Sequence, residues 1–219
     1  MAFQSPSKIL EKITRFKLIK IQDDKLVLAG VPGSLSPLYV TAYFQRLLEK
    51  CYGKKKTMDL LYNAGRFQGR QAFRIFSKRF GYAEKIKDKK ELLEFQTSQS
   101  IVIGHGKFEW VKIDFENNVF IIRGKSTYGD EYKRFFGLQK EPIDYFHRGL
   151  IVSFIEELTK RKMLCIETQC IAQGKTFCEY VVRPYEKWEK KDMLVKNQII
   201  TNLPDIKELG AQIDPYLDL

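Results

Sequence analysis

The hydrophobic pattern of this 219-residue chain changes its period along the sequence. Some stretches repeat apolar residues at helical spacing, and others alternate as strands do. The helical stretches are residues 38–52, 58–80, 89–100 and 143–158, and the strands are 108–115, 119–122, 163–171 and 177–182. Because helices and strands come in blocks and do not alternate regularly, the pattern predicts an α+β fold, an antiparallel sheet with helices packed on it.

The two ends of the chain differ from its centre. Residues 1–37 are predicted to hold a strand pair within 17–28, followed by a loop rich in glycine, serine and proline. Residues 38–183 form the predicted main domain. Residues 184–219 form a charged C-terminal extension, predicted to be helical near 185–195, that packs on the body or on a second copy.

The charge balance argues for few specific partners. Lysine and arginine total 38 against 27 acidic residues, a net charge of +11, which favours acidic partners in general. The basic runs are interleaved with acidic residues, as on a solvated helix surface, so nucleic-acid binding is not expected. No apolar run approaches the ~20 residues of a membrane span. The N-terminus lacks an apolar signal region, so we expect a cytoplasmic protein.

Three of the four cysteines lie within residues 165–178, in the pattern Glu167-x2-Cys170-x7-Cys178. Two thiolates and a carboxylate can form a tetrahedral zinc site, and a hairpin would bring Cys170 and Cys178 together. The alternative is that these cysteines are small buried apolar residues. The CxxC pair typical of zinc ribbons is missing, so spacing alone leaves both open. The fourth cysteine, Cys51, is predicted to lie in the core.

The same window resembles a known family. The runs YFHRGL at 145–150, IETQCIAQG at 166–174 and CEYVV at 178–182 are similar to the vinyl-4-reductase-type domain, most strongly over residues 141–182. That family is related to the sensor domains of XylR-like regulators of aromatic degradation, to haem-type gas sensors and to the small subunits of the TRAPP vesicle-tethering complex. The resemblance implies their shared α+β fold and an apolar pocket for a phenolic or hydrocarbon ligand beside a structural zinc ion.

The resemblance also implies which residues would bind zinc. Glu167, Cys170 and Cys178 fall on the last three ligands of the family pattern. The first ligand should be a cysteine from the preceding helix, but residues 141–160 contain none. His147 is the nearest candidate for this fourth ligand, and Cys165, on the same strand face as Glu167, is the reserve.

A metal centre here would need an irregular strand. Glu167 and Cys170 are three residues apart, and on a flat strand they would face opposite ways. We therefore expect a β-bulge near Thr168-Gln169 that aims both at one ion. Gly174 allows the tight turn that would bring the second cysteine-bearing strand alongside.

The predicted ligand site is an enclosed apolar cavity between helix 141–160, helix 58–80 and the sheet. Such sites are mainly apolar with a few polar anchors. The candidate lining residues are Phe73, Phe76, Ile122, Phe146, Leu150 and Phe154. The same bulky residues could instead fill the core. His105 lies in a Gly-His-Gly turn, where a lone histidine is usually structural or exposed.

Two further patterns lie on helix 58–80. Gly65 and Gly69 share one face, and two helical glycines predict the close approach of another helix, either in a homodimer or within the chain. A basic stripe recurs every four residues: Arg66, Arg70, Arg74 and Lys78. Like charges at this spacing repel, so we expect intrachain acidic residues, or else a phosphate or partner, to offset them.

No nucleophile with an adjacent base, paired carboxylates or phosphate-binding loop stands out, so the sequence does not indicate catalysis. The favoured hypothesis is a stand-alone sensor domain for a hydrophobic small molecule, with structural zinc and a homodimeric state. One alternative is a dimeric scaffold protein like the TRAPP subunits. Another is an enzyme of tetrapyrrole or lipid metabolism.

Overall fold

The main sheet has four antiparallel strands in the order β4-β5-β7-β6. The computed structural model describes residues 19–22, 25–28, 31–32, 36–80, 88–100 and 103–205. The four strands are β4 (Gly106–Asp114), β5 (Val119–Ser126), β6 (Met163–Gln169) and β7 (Cys178–Pro184). Helices pack on this sheet, so the predicted α+β class is confirmed, as is the hairpin around Asn117-Asn118.

The described part of the chain contains six α-helices. They are α1 (Leu38–Tyr52), α2 (Lys54–Phe80), α3 (Lys89–Gln99), α4 (Thr127–Phe136), α5 (Tyr145–Thr159) and α6 (Met193–Gln198). None of them is both long and apolar enough to span a membrane. α1 has the predicted bounds, but it buries only Ala42 and Gln45, so Cys51 near its end is exposed and its predicted place in the core is wrong.

One helix was not predicted. In α4, the Ser126 hydroxyl accepts a hydrogen bond from the backbone N–H of Gly129 and caps the first turn. Tyr128 and Tyr132 bury one face of the helix against the core. The helix is short, and it begins directly where strand β5 ends.

The N-terminal region forms a separate small sheet of three strands: β1 (Ile19–Gln22), β2 (Lys25–Leu28) and β3 (Val31–Pro32). β1 and β2 pair antiparallel, with Gln22 opposite Lys25, as the predicted strand pair requires. Residues 17–18 and 23–24 of that prediction lie outside the described residues. β3 falls in the predicted loop, where Val31 pairs with Leu28.

Helices α2 and α5 cross at a very short distance. A Cβ atom at Gly65 would collide with the carbonyl oxygen of Phe146, and one at Gly149 would collide with the carbonyl oxygen of Tyr62. The contacts of Gly69 lie further along α5, at Ser153, so the two helices run in the same direction. The partner of the glycine face is therefore a helix of the same chain, and this face no longer supports a homodimer.

The basic stripe on α2 meets acidic residues of α5. The Arg66 guanidinium lies 2.8 Å from the Glu156 carboxylate, and both side chains are fully buried. Arg70 pairs with Glu157 at 3.2 Å. The predicted intrachain pairing is thus confirmed for these two arginines, while the side chain of Lys78 lies outside the described residues.

The C-terminal extension packs on the body. Gln198 of α6 accepts a hydrogen bond from the backbone N–H of Glu167 at 2.9 Å and donates one to its carbonyl oxygen at 2.8 Å. Arg148 also donates to the Gln198 carbonyl oxygen at 2.6 Å. The helix lies at 193–198 and not at 185–195 as predicted, because Tyr185–Lys187 forms only a 3-10 turn.

Candidate functional site

Strand β6 ends in the irregularity that the sequence requires. Glu167 pairs with Tyr180, and the next pair joins Gln169 to Glu179, so the register shifts between Glu167 and Gln169. This is the β-bulge predicted near Thr168-Gln169. A 3-10 turn follows, and Gly174 adopts a φ of +87°, a conformation that glycine tolerates best.

The bulge and turn bring three predicted metal ligands together. One ligand atom each from Glu167, Cys170 and Cys178 lies within 4.8 Å of the others, and all three residues are fully buried. Glu167 Oε2 accepts the backbone N–H of Asp144 at 3.2 Å. Glu167 Oε1 is buried and has no hydrogen-bond partner among the described residues. Two sulfur atoms beside an unpaired carboxylate oxygen fit zinc better than a harder cation.

The electrostatics of these three groups favour a cation. The Cys178 thiol stabilises its neighbour and lowers the pKa of Cys170 to about 7. The pKa of Cys178 is raised by Cys170 and by burial, and burial likewise raises the pKa of Glu167. The site therefore resists three negative charges unless a positive charge joins them.

Neither candidate for the fourth ligand joins the group of three. His147 Nδ1 lies 2.6 Å from Asp144 Oδ1. Cys165 donates its backbone N–H to the Tyr62 hydroxyl, and its thiol is outside the cluster. Burial raises the pKa of that thiol, as is typical of an apolar core position.

The residue that sequence reasoning missed is Asp144. Its Oδ2 accepts hydrogen bonds from the Ser126 hydroxyl at 2.8 Å and the Tyr180 hydroxyl at 2.6 Å. Burial opposes its ionisation, but His147 and these hydroxyls outweigh burial and lower the pKa of Asp144. A buried carboxylate thus links the start of α5 to β5 and β7. Its position just before a helical pattern was the available signal.

The His147 ring lies among other rings. The His105 ring centroid is 4.4 Å away with the two planes at 76°. The centroids of Phe108, Tyr128 and Phe146 lie 6.2–6.4 Å from His147. The rings of His105 and His147 are called the histidine pair below.

The predicted cavity-lining residues divide into two sets. Ile122 is buried on β5 opposite Tyr180, and the Phe146 ring lies beside the histidine pair. Leu150 and Phe154 follow on α5 and Phe73 lies on α2, all half-buried. The side chain of Phe76 lies outside the described residues. The enclosed cavity itself stays a prediction.

Comparison with known proteins supports the resemblance seen in the sequence. Residues 136–184 match the vinyl-4-reductase domain family, a stretch that includes the predicted strongest segment, 141–182. The uncharacterized protein MJ1460 of Methanocaldococcus jannaschii is 33% identical over 52 residues, which are 24% of this chain and 32% of that protein. The match thus spans about a third of the length of this relative.

Two solved structures align with most of this chain. The phenol-responsive sensory domain of the transcription activator PoxR, solved with phenol, aligns over 90% of this chain and 99% of its own, with a TM-score of 0.69 and 16% identity. A vinyl-4-reductase family protein from Methanocaldococcus jannaschii covers 84% of this chain and 98% of its own, with a TM-score of 0.46 and 20% identity. The PoxR likeness confirms the predicted fold.

Proposed function

We propose that this chain, whose residues 136–184 match the vinyl-4-reductase domain family, is a sensor domain that binds a small hydrophobic or aromatic molecule and is stabilised by zinc. The observation that carries the proposal is the fold shared with a phenol-responsive sensory domain over 90% of the chain. The role is binding and not catalysis, because the conspicuous buried groups form a metal-like cluster and an aromatic-lined polar site. These features suit recognition of a ligand.

The proposed zinc ligands are Glu167, Cys170 and Cys178. A zinc ion would neutralise these buried acids and tie the end of β6 to the start of β7. The residues act as structural ligands, since they sit behind the bulge and are fully buried. His147 and Cys165 remain the candidates for a fourth ligand, and either would have to turn toward the cluster to reach it.

Two further parts of the proposal concern the surroundings of the protein. Cys165, Cys170 and Cys178 are free thiols, which favours a reducing compartment and hence the cytoplasm. A homodimer would have to use a surface other than the glycine face. Helix α1 offers one, because Tyr39, Tyr43, Phe44 and Leu47 are exposed apolar side chains on it. This surface is also the observation that favours the scaffold alternative.

Metal analysis tests the zinc site. For protein purified without chelator, we expect about one equivalent of zinc per chain. Cys170→Ser should lose the zinc, whereas Cys51→Ser, a change at the exposed cysteine, should retain it. Less than about a tenth of an equivalent in the unmodified chain, with Cys170→Ser equally stable, would reduce these cysteines to core packing.

Calorimetry tests the sensor role. Titration of the full chain with phenol and with toluene should give saturable binding of at least one of them, because both have the size and apolar surface that the proposed site requires. Native mass spectrometry of freshly purified protein checks for a retained hydrophobic molecule. Absence of binding for both probes, together with a bare protein mass, would favour the scaffold alternative.

A further inference from the structure

Two buried nitrogen atoms on neighbouring rings lack a partner. His147 Nε2 and His105 Nδ1 are both fully shielded from solvent, and neither makes a hydrogen bond to any described residue. His147 as a whole is 6% exposed. Buried polar atoms are nearly always hydrogen-bonded, because an unpaired one costs free energy. Two such atoms on rings whose centroids lie 4.4 Å apart call for a functional reason.

The chemical state of His147 follows from its neighbour. Asp144 is held by the hydroxyls of Ser126 and Tyr180, and its carboxylate can only accept a hydrogen bond from His147 Nδ1. The Nδ1 atom therefore carries a proton. In the neutral imidazole, Nε2 is then a hydrogen-bond acceptor.

His105 complements this acceptor. Its backbone is fixed, since its N–H donates to the Ser100 carbonyl at 2.8 Å and its carbonyl accepts the Thr127 N–H at 3.1 Å. Burial and the nearby His147 lower the pKa of His105 to about 3, so its ring is neutral near pH 7. A neutral imidazole nitrogen can donate or accept according to its tautomer, so Nδ1 of His105 can act as a donor.

Apolar rings surround the pair. Phe108 from β4, Tyr128 from α4 and Phe146 from α5 each contribute a ring within 6.4 Å of His147. The Tyr128 hydroxyl is already engaged with Gln45 Oε1 at 2.8 Å. The surroundings of the two free nitrogens are therefore mainly aromatic, as in a site for a small ring.

We propose that the histidine pair is the polar anchor of the ligand site and selects a neutral aromatic molecule that carries a hydroxyl group. The hydroxyl donates to Nε2 of His147 and accepts from Nδ1–H of His105, which satisfies both nitrogens at once. This inference rests on the proposed sensor function and names the ligand chemistry of that site. It adds His105 and His147 to the predicted lining residues and gives His147 a role other than zinc binding.

Competing ligand classes fit less well. A hydrocarbon would leave both nitrogens without partners. A carboxylate cannot donate to Nε2, and the ionised Asp144 on the other side of the His147 ring would repel it. A hydroxyl is both donor and acceptor, so it matches the two nitrogens with a single atom.

Calorimetry on the full chain compares phenol with toluene, which has the same ring and no hydroxyl. We expect phenol to bind at least about tenfold more tightly, because a site built to pair a hydroxyl discriminates against its absence. His105→Leu should remove most of that preference while toluene binding persists. Tyr185→Phe is the matched control, since it deletes a hydroxyl bonded to the Ile200 carbonyl, and it should leave both affinities unchanged.

A spectroscopic measurement avoids dependence on variants. The chain has only two histidines, so nitrogen-detected spectra of a ¹⁵N-histidine-labelled sample contain two imidazole sets. Phenol should shift the Nε2 resonance of His147, and toluene should not. The shift reports a hydrogen bond at that atom, which a merely structural histidine would not form.

The possible results separate the two proposals. Equal affinities for phenol and toluene, unchanged in His105→Leu and with no imidazole shift, would overturn the histidine anchor and leave the sensor function standing. Failure of both probes to bind the unmodified chain would contradict the sensor function itself and the anchor with it. A tenfold preference that His105→Leu removes, together with the phenol-specific shift, would establish the anchor.

Discussion

Helix α5 has a buried polar group at each end, and the two ends differ in how completely those groups are paired. Near its C-terminus, Glu156 accepts hydrogen bonds from Arg66 Nε at 3.0 Å and Nη2 at 2.8 Å, and from the Met163 N–H at 3.0 Å. Arg66 Nη1 donates in addition to the Pro204 carbonyl. Near the N-terminus, His147 Nε2 and the neighbouring Glu167 Oε1 have no partner among the described residues.

The difference separates structure from function within one helix. A buried ion pair with satisfied hydrogen bonds needs nothing further, and it fixes how α2 and α5 sit together. Unpaired buried atoms are a cost that a fold retains where a ligand or ion completes them. The N-terminal end of α5, where the zinc cluster and the histidine pair meet, is therefore the functional end.

Removing Glu156 should have the largest effect on stability. Glu156→Leu leaves the fully buried Arg66 without its counter-charge, and we expect the free energy of unfolding to fall by about 3–5 kcal/mol. Arg134→Gln is the control, because its pair with Glu131 is exposed and should contribute less than about 1 kcal/mol. Urea unfolding followed by circular dichroism measures both. Equal losses in the two variants would remove the distinction between paired and open ends.

The helix crossing gives the next largest effect. In Gly65→Ala the added methyl group meets the backbone of Phe146, which cannot move without shifting α5, so we expect a loss of about 1–3 kcal/mol. Gly129→Ala is matched, since it is also helical but its nearest atoms lie at 3.5 Å or beyond. That change should be neutral or add up to about 1 kcal/mol of stability. A destabilised Gly129→Ala beside an unchanged Gly65→Ala would contradict the close crossing.

Much of the fold could be predicted because its signals are local. Periodicity placed α1 and the β4–β5 hairpin from residues close together in the sequence. Helix α4 was missed because it spans only 10 residues directly after a strand, and β3 because two residues carry no pattern. The partner of Gly65 depends on packing between distant segments, which periodicity does not contain.

The site divides in the same way. Glu167, Cys170 and Cys178 belong to one hairpin, so their spacing alone indicated both their convergence and the bulge. Asp144 was missed because its role is tertiary: it stands at the helix N-cap position, yet its side chain makes no capping bond and turns to Ser126 and Tyr180. No pattern in the sequence brings His105 beside the start of α5.

The smallest effect on stability is expected at the open end. His105→Leu removes a buried nitrogen that has no partner, and this gain offsets the packing lost with the ring. The free energy of unfolding without ligand should therefore stay within about 1 kcal/mol of the unmodified chain. The same urea unfolding experiment measures it. A loss as large as that of Glu156→Leu would show that the His105 ring is a structural element. A small loss combined with a lost preference for phenol would mean that this end of α5 retains an unpaired group for binding at little cost to the fold.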